Sequence, residues 1–173
     1  MQANFHIRPA AIADCDMLTE LSTTTFTDSF SAQNTEADLF LYLSSHLNRE
    51  RLASELADEQ NKFFLAVLDE QPIGYLKLSE SKPGRQSLTM LSIEIERLYV
   101  RKEFHDKKIG AALMQYAIDF ALANSFLLIW LGVWEKNQKA ILFYKKWGFE
   151  IFGDHIFMLG NDAQTDLLMR KEL

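Results

Sequence analysis

The sequence predicts one α/β domain built on a central mixed, mostly antiparallel sheet flanked by helices. Three observations carry that prediction. Apolar residues recur at helical spacing up to about residue 60; strand patterns take over from there; and in the second half two helical stretches each follow a strand, giving the order hairpin, strand, helix, strand, helix, strand. The 173 residues, 48% of them hydrophobic, suffice for one sizeable core, and the connections are short, so residues 1–173 read as a single domain.

Taken in order, Phe5 to Pro9 alternates apolar and polar residues and is stopped by Pro9, as in a short edge strand. Asp14 is a candidate cap for a helix from Asp16 to about Phe30, with Met17, Leu18, Leu21 and Phe26 on one side and a Thr23-Thr24-Thr25 run that disfavours helix. Thr35 precedes acids in the first turn of a helix bearing Leu39, Leu43 and Leu47, and a further helix carries Leu52 and Leu56. Phe63 to Leu68 and Ile73 to Leu78 form a hairpin around Asp69-Glu70-Gln71-Pro72; Ser81 to Gly84 is a loop; Leu91 to Val100 is a long antiparallel strand. Ile109 to Ala123 is a helix, Phe126 to Val133 a buried strand, and Asn137 to Trp147 a helix ended by Gly148. Phe149 to Phe157 and Thr165 to Arg170 close the chain around a Gly160-Asn161-Asp162 turn.

Composition removes several functions. The single Cys15 excludes an internal disulfide and reads as a small buried residue, and no Cys/His spacing suits a zinc site, so no metal is expected. The N-terminus lacks an apolar segment after a basic start, and no run approaches the roughly 18 apolar residues of a membrane span, so a soluble, cytoplasmic protein without a membrane partner is expected. A net charge of -6 argues against a nucleic-acid surface. Residues 1–70 hold 12 acids against 4 bases and residues 71–173 hold 12 acids against 14 bases, so an acidic half faces cationic substrates and a more basic half suits an anionic cofactor, unless both are solvated surface.

The most informative segment runs Leu98-Tyr99-Val100-Arg101-Lys102-Glu103-Phe104-His105-Asp106-Lys107-Lys108-Ile109-Gly110-Ala111-Ala112-Leu113: a strand, a basic loop, and a helix opening on small residues. Free N–H groups at a helix start attract an anion, and small residues let a diphosphate approach; Arg101, Lys102, Lys107 and Lys108 add charge. An ordinary basic connection has the same features. Neither a P-loop nor a dinucleotide fingerprint occurs.

His105-Asp106-Lys107-Lys108-Ile109-Gly110 resembles the [QR]-x-x-G-x-[GA] pyrophosphate loop of the GNAT acetyltransferases, with His105 in place of Gln or Arg and Lys108 in place of the first Gly. Asn137-Gln138-Lys139-Ala140-Ile141-Leu142-Phe143-Tyr144-Lys145-Lys146-Trp147-Gly148-Phe149 resembles the family's N-x-x-A-x-x-F-Y-x-x-x-G-F helix, and Ile7-Arg8-Pro9-Ala10 is similar to a common opening of the family. The Lys-Lys-Ile-Gly variant resembles loops of the spermidine/spermine acetyltransferase (PaiA-like) branch. The resemblance implies a GNAT-like fold, acetyl-CoA as cosubstrate, a small primary amine as acceptor with polyamines first, and compatibility with a homodimer.

It further implies that backbone groups of Leu98, Tyr99 and Val100 bind the pantetheine arm, that His105, Asp106, Lys107, Lys108, Ile109, Gly110 and Ala111 hold the pyrophosphate, that Asn137 contacts the arm from the opposite side, and that Tyr144 protonates the departing thiolate. Lys146 would reach the adenosine phosphate, or is an exposed lysine. Direct attack by an amine needs a proton acceptor. Glu94 and Glu96 lie two apart on the long strand, hence on one face with Leu98 and Val100, and Glu96 is preferred as nearer the cofactor residues. A protein or peptide acetyltransferase, and a catalytically silent acetyl-CoA-binding module, are the alternatives.

Overall fold

In the computed structural model, which describes residues 4–80 and 90–173, one seven-stranded sheet is covered by helices on both faces. The chain runs β1 (His6–Pro9), α1 (Cys15–Phe30), α2 (Glu36–His46), α3 (Arg49–Ala57), β2 (Asn61–Leu68), β3 (Gln71–Glu80), β4 (Ser92–Val100), α4 (Ile109–Ala123), β5 (Leu128–Trp134), α5 (Gln138–Lys146), β6 (Glu150–Leu159) and β7 (Asp162–Glu172). Strand order is β1-β2-β3-β4-β5-β7-β6, and every neighbouring pair is antiparallel except β4 and β5. The elements expected from the sequence are present; the loop at Ser81–Gly84 lies outside the described residues.

Local chemistry explains the helix boundaries. Thr35 and Asn48 cap α2 and α3 by accepting from the Asp38 and Arg51 amides. Asp14 occupies the position before α1 without capping it, because its carboxylate is taken by the Arg8 guanidinium, with two contacts of 2.8 Å, and by the Ala11 amide. Along the threonine-rich α1, Thr19, Thr23 and Thr25 satisfy their hydroxyls by donating to carbonyls four residues back.

The larger core lies between the sheet and α4 and α5, where Leu76, Leu78, Ile93, Ile95, Ile129 and Leu131 meet Leu113, Ala117, Ile118 and Ile141. On the other face Leu18 and Leu21 of α1 and Leu52 of α3 pack on Phe63, Leu65 and Tyr75. The β6–β7 turn is docked on α2: the Asn161 amide donates to Asp38 Oδ1 at 2.8 Å, and a side chain on Gly160, at φ +61°, would strike the Asp38 backbone at 2.6 Å. These contacts tie α2 to β6, while α1 lies over β3 and β4.

Candidate active site

The sheet opens in its middle. The parallel pairing of β4 with β5 covers only Ser92↔Leu128, Ile93↔Ile129 and Glu94↔Trp130, yet β4 continues along β3 to Val100 and β5 continues along β7 to Trp134. Beyond Glu94 the two strands part, and the backbone edge of β4 that carries Leu98, Tyr99 and Val100 faces the gap. An unpaired strand edge inside a sheet is a template for an extended chain bearing amides.

A β-bulge shapes the same strand. Lys77 pairs with Arg97 but Leu78 with Ile95, which leaves Glu96 as the extra residue of β4. Alternation breaks there. Ile93, Ile95, Leu98 and Val100 all pack on the α4 side, while Tyr99 lies against Tyr75 and Phe26 on the other. The expectation that Glu94 and Glu96 share a face with Leu98 and Val100 is therefore corrected: the bulge puts the two carboxylates on the α1–α3 face, and Leu98 and Val100 in the opposite core.

The two carboxylates differ in setting. Glu96 Oε1 accepts from the buried Lys77 ammonium at 2.7 Å, on the β3 side and away from the gap. Lys77 also pairs with Glu55 at 3.0 Å, and the Arg97 guanidinium reaches Glu55 at 2.7 Å. Burial pushes the Glu55 carboxyl up, but Arg97 and Lys77 outweigh it and hold it below its usual value. The network opens on a cleft of about 320 Å³ lined by Arg51, Ser54, Asp58, Asn61 and Glu96 among others. Glu94 is buried at the last β4–β5 pair, where the strands separate.

The segment after β4 turns through a 3-10 stretch, Lys102–Lys107, in which His105, Asp106 and Lys107 are exposed. His105 Nε2 lies 2.9 Å from the Val100 carbonyl oxygen, a hydrogen bond for the tautomer protonated there, so it closes the end of β4. Lys108 precedes α4 in the left-handed region at φ 62°, which explains why glycine suits this position, and its side chain caps nothing. The first helical bond is Ala112 N to Lys108 O at 3.0 Å, leaving the amides of Ile109, Gly110 and Ala111 without intrahelical partners. Gly110 has room: a Cβ there would meet only Val100 Cγ2, at 3.9 Å. Arg101 does not join this cluster; its Nε donates to the Pro72 carbonyl at 2.9 Å and its guanidinium faces Glu20.

The α5 motif resolves into helix signals from cap to cap. Asn137 is the N-cap, its Oδ1 accepting from the Ala140 amide at 3.1 Å, and its amide nitrogen can donate to a ligand. At the other end Gly148, at φ +84°, allows Phe149 N to reach Tyr144 O and Gly148 N to reach Lys145 O, the paired bonds of a Schellman stop. Tyr144 is thus fixed by its own carbonyl, and its half-buried ring packs against Phe143 and Phe149. Burial pushes its hydroxyl up to about 12. Tyr99 lies close enough across the gap that ionising Tyr144 would further raise it. Lys146 is exposed in the last turn.

Reading the sequence missed Gly132, His155 and Asp166. Register brings them together: Trp134 pairs with Asp166, which pairs with His155, and a Cβ on Gly132 would lie 3.5 Å from Asp166 Oδ2 and 3.7 Å from His155 Cε1. The available signal was a glycine inside the apolar run Leu128–Trp134, which marks a close approach. Among the described residues no group of three His, Cys, Asp or Glu side chains is placed to hold a metal, and no helix is long and apolar enough to cross a membrane.

The profile of the acetyltransferase (GNAT) family matches residues 16–149. An uncharacterised N-acetyltransferase of Lactobacillus delbrueckii subsp. lactis is 35% identical over 153 residues, 88% of each chain. A spermidine N(1)-acetyltransferase of Thermoplasma acidophilum is 24% identical over 152 residues, covering 86% of this chain and 89% of its own. Among solved structures, the PaiA N-acetyltransferase of Thermoplasma acidophilum in complex with coenzyme A superposes with a TM-score of 0.82 at 24% identity, over 98% of this chain and 99% of that one.

Proposed function

Because the chain belongs to the acetyltransferase (GNAT) family and is an N-acetyltransferase that uses acetyl-CoA, we propose that its acceptor is a small primary amine, polyamines first, attacking directly in a ternary complex. The observation that carries the reading is the parting of β4 from β5 beyond Glu94↔Trp130, with the start of α4 at one end and Tyr144 beside it. The fit to acetyl-CoA rests on the open β4 edge, the uncapped α4 start and the space over Gly110.

Acetyl-CoA supplies the activated acetyl group. The backbone of Leu98 and Tyr99 lines its arm, with Asn137 offering an amide donor from α5. The amides of Ile109, Gly110 and Ala111, with Lys107 and Lys108, take the diphosphate, while His105 and Asp106 shape that turn and Lys146 is the cation on the α5 side. Tyr144 donates a hydrogen bond at the thiol end. Glu94 or Glu96 receives the proton of the attacking amine, directly or through water; Glu94 stands where β4 leaves β5, and Glu96 is held on the β3 side by Lys77.

The polyamine acceptor draws support from the spermidine acetyltransferase relative. The acidic helices contribute less than their count implies, because Glu55 is matched by Lys77 and Arg97, Asp16 by Arg49, and Asp38 anchors a turn. The test is release of free CoA thiol from acetyl-CoA over a panel of polyamines, amino acids, aminoglycosides and peptides. Spermidine turning over no faster than an arbitrary monoamine would remove the polyamine reading.

A further inference from the structure

Outside the residues assigned above, the α1–α2 face of β5 carries a notch. Trp130, Gly132 and Trp134 share that face; Trp130 is fully buried and Trp134 is 7% exposed, but Gly132 between them is open to solvent. The missing side chain leaves a space whose floor is Gly132 and whose side is Asp166 of β7. The Asp166 side chain is only 14% exposed, yet among the described residues no group donates a hydrogen bond to it, and the His155 imidazole stands off at 3.9 Å. Among the described residues this imidazole, a cation only when protonated, is the one charged partner within 4 Å of the Asp166 carboxylate. Its burial already pushes its carboxyl up to about 6, the direction an unmatched charge gives.

The surroundings specify what kind of cation fits. Trp134 meets Phe30 of α1 at 6.0 Å between ring centroids, and Phe157, on the His155 side of β6, meets Tyr42 of α2 at 5.5 Å. Trp134 and Phe157 offer apolar edges along which methylenes can lie, while the faces of Tyr42 are already covered by Phe26 and His46 and the Lys136 ammonium stands 5.7 Å from the Trp134 ring centroid. Gly132 borders the β4–β5 gap from the side opposite Glu94. Asp166 lies two strands from β4 and four residues along the sheet from the Glu94↔Trp130 pair, more than about 10 Å from the proposed reacting nitrogen, which matches the separation of the terminal nitrogens of spermidine or a long alkyl diamine.

We propose that the notch over Gly132 is the subsite for a second ammonium group of an extended alkyl amine acceptor, with Asp166 as its counter-ion. The reacting nitrogen then lies at the gap near Glu94, and the chain between the two nitrogens runs past Trp134. Asp166 is a specificity residue here: it touches the substrate away from the reacting atoms. The proposal rests on the reading of this face as the acceptor side.

Calorimetric titration of the protein saturated with CoA tests it, using 1,7-diaminoheptane, spermidine and propylamine as probes with wild type, Asp166→Asn and Gly132→Ala. Asparagine keeps the shape of Asp166, and the alanine Cβ would make only ordinary contacts of 3.5 to 3.8 Å while filling the notch. Diamine and spermidine affinity is expected to fall at least tenfold in both variants and propylamine affinity less than twofold. Equal diamine affinity in wild type and both variants, no preference of wild type for diamine over propylamine, or no binding at all overturns the subsite. Thiol release run alongside separates the two readings: acetylation of spermidine with Asp166-independent binding sinks the subsite alone, whereas Asp166-dependent binding with no acetylation of any amine sinks the acceptor reading alone.

Discussion

Replacing Tyr144 by Phe isolates one hydroxyl, because the ring contacts with Phe143 and Phe149 and the carbonyl held by the Schellman stop stay in place. With the hydroxyl pushed up to about 12 and an ordinary thiol near 8.5, full proton transfer to a thiolate is uphill by about 5 kcal/mol. In the proposed mechanism Tyr144 would therefore act by donating a hydrogen bond to the developing thiolate, an interaction with a charged acceptor worth about 1.5–3 kcal/mol. That converts to a loss of roughly 10- to 100-fold in kcat, with the acetyl-CoA KM changed less than about twofold, since the bond strengthens only as charge appears. The assay is thiol release at saturating acetyl-CoA and amine from pH 6 to 10. Tyr144 keeps its proton across that range, so no alkaline limb of kcat belongs to it. An unchanged kcat refutes the argument, and so does a wild-type limb near pH 9–10 that vanishes in the Phe variant.

Three further outcomes follow from the geometry. Glu55→Gln leaves Lys77 and Arg97 without their shared buried carboxylate and is expected to destabilise the fold by about 3 kcal/mol at pH 7; because the folded Glu55 carboxyl is held below its usual value, this stabilisation is present above about pH 4.5 and fades as pH falls, which urea melts at pH 7 and pH 3.5 would show. Lys108→Gly relieves a left-handed backbone at φ 62° and is expected to raise stability by about 1 kcal/mol, read as a higher urea midpoint; an unchanged or lower midpoint would mean that the lysine side chain contributes as much as its backbone costs. Asp166→Asn removes a carboxyl whose folded value, about 6, exceeds its usual 3.8. Wild type is stable with respect to this group below pH 3.8 and loses stability as pH rises through 6, so the Asn variant is expected to gain about 2 kcal/mol at pH 8 and nothing at pH 3.5.

Much of the fold was legible because its signals are local. The α5 motif is a complete set of helix instructions: Asn137 starts it, Gly148 stops it and Phe149 packs back on Tyr144, so one stretch of thirteen residues specifies where the tyrosine sits. The α4 start was equally plain in its small residues, and Lys108 read as a departure from glycine for a reason the backbone angle now supplies. What failed was arithmetic along β4. Counting by twos assumes an unbroken pleat, and Glu96 interrupts it, so residues after the bulge face the opposite way from the count.

The same interruption joins fold to function. Without the extra residue, the side chains of either Glu94 or Tyr99 would turn into the α4 core, and the ion pairs of Lys77 and Arg97 could not close on the α3 side. With it, the chain of β4 that leaves β5 presents apolar Leu98 and Val100 to α4 and keeps its acids on the face covered by α1–α3. On the proposed reading, cosubstrate and acceptor would reach the gap from opposite faces, the first along α4 and α5 and the second over Gly132. Nothing local announces Asp166, because its significance depends on a glycine 34 residues earlier in the sequence and one strand away; only the register Trp134↔Asp166 brings the two together. On that reading, a bulge and a bare strand position convert a sheet whose strands could be read from the sequence into one with two entrances.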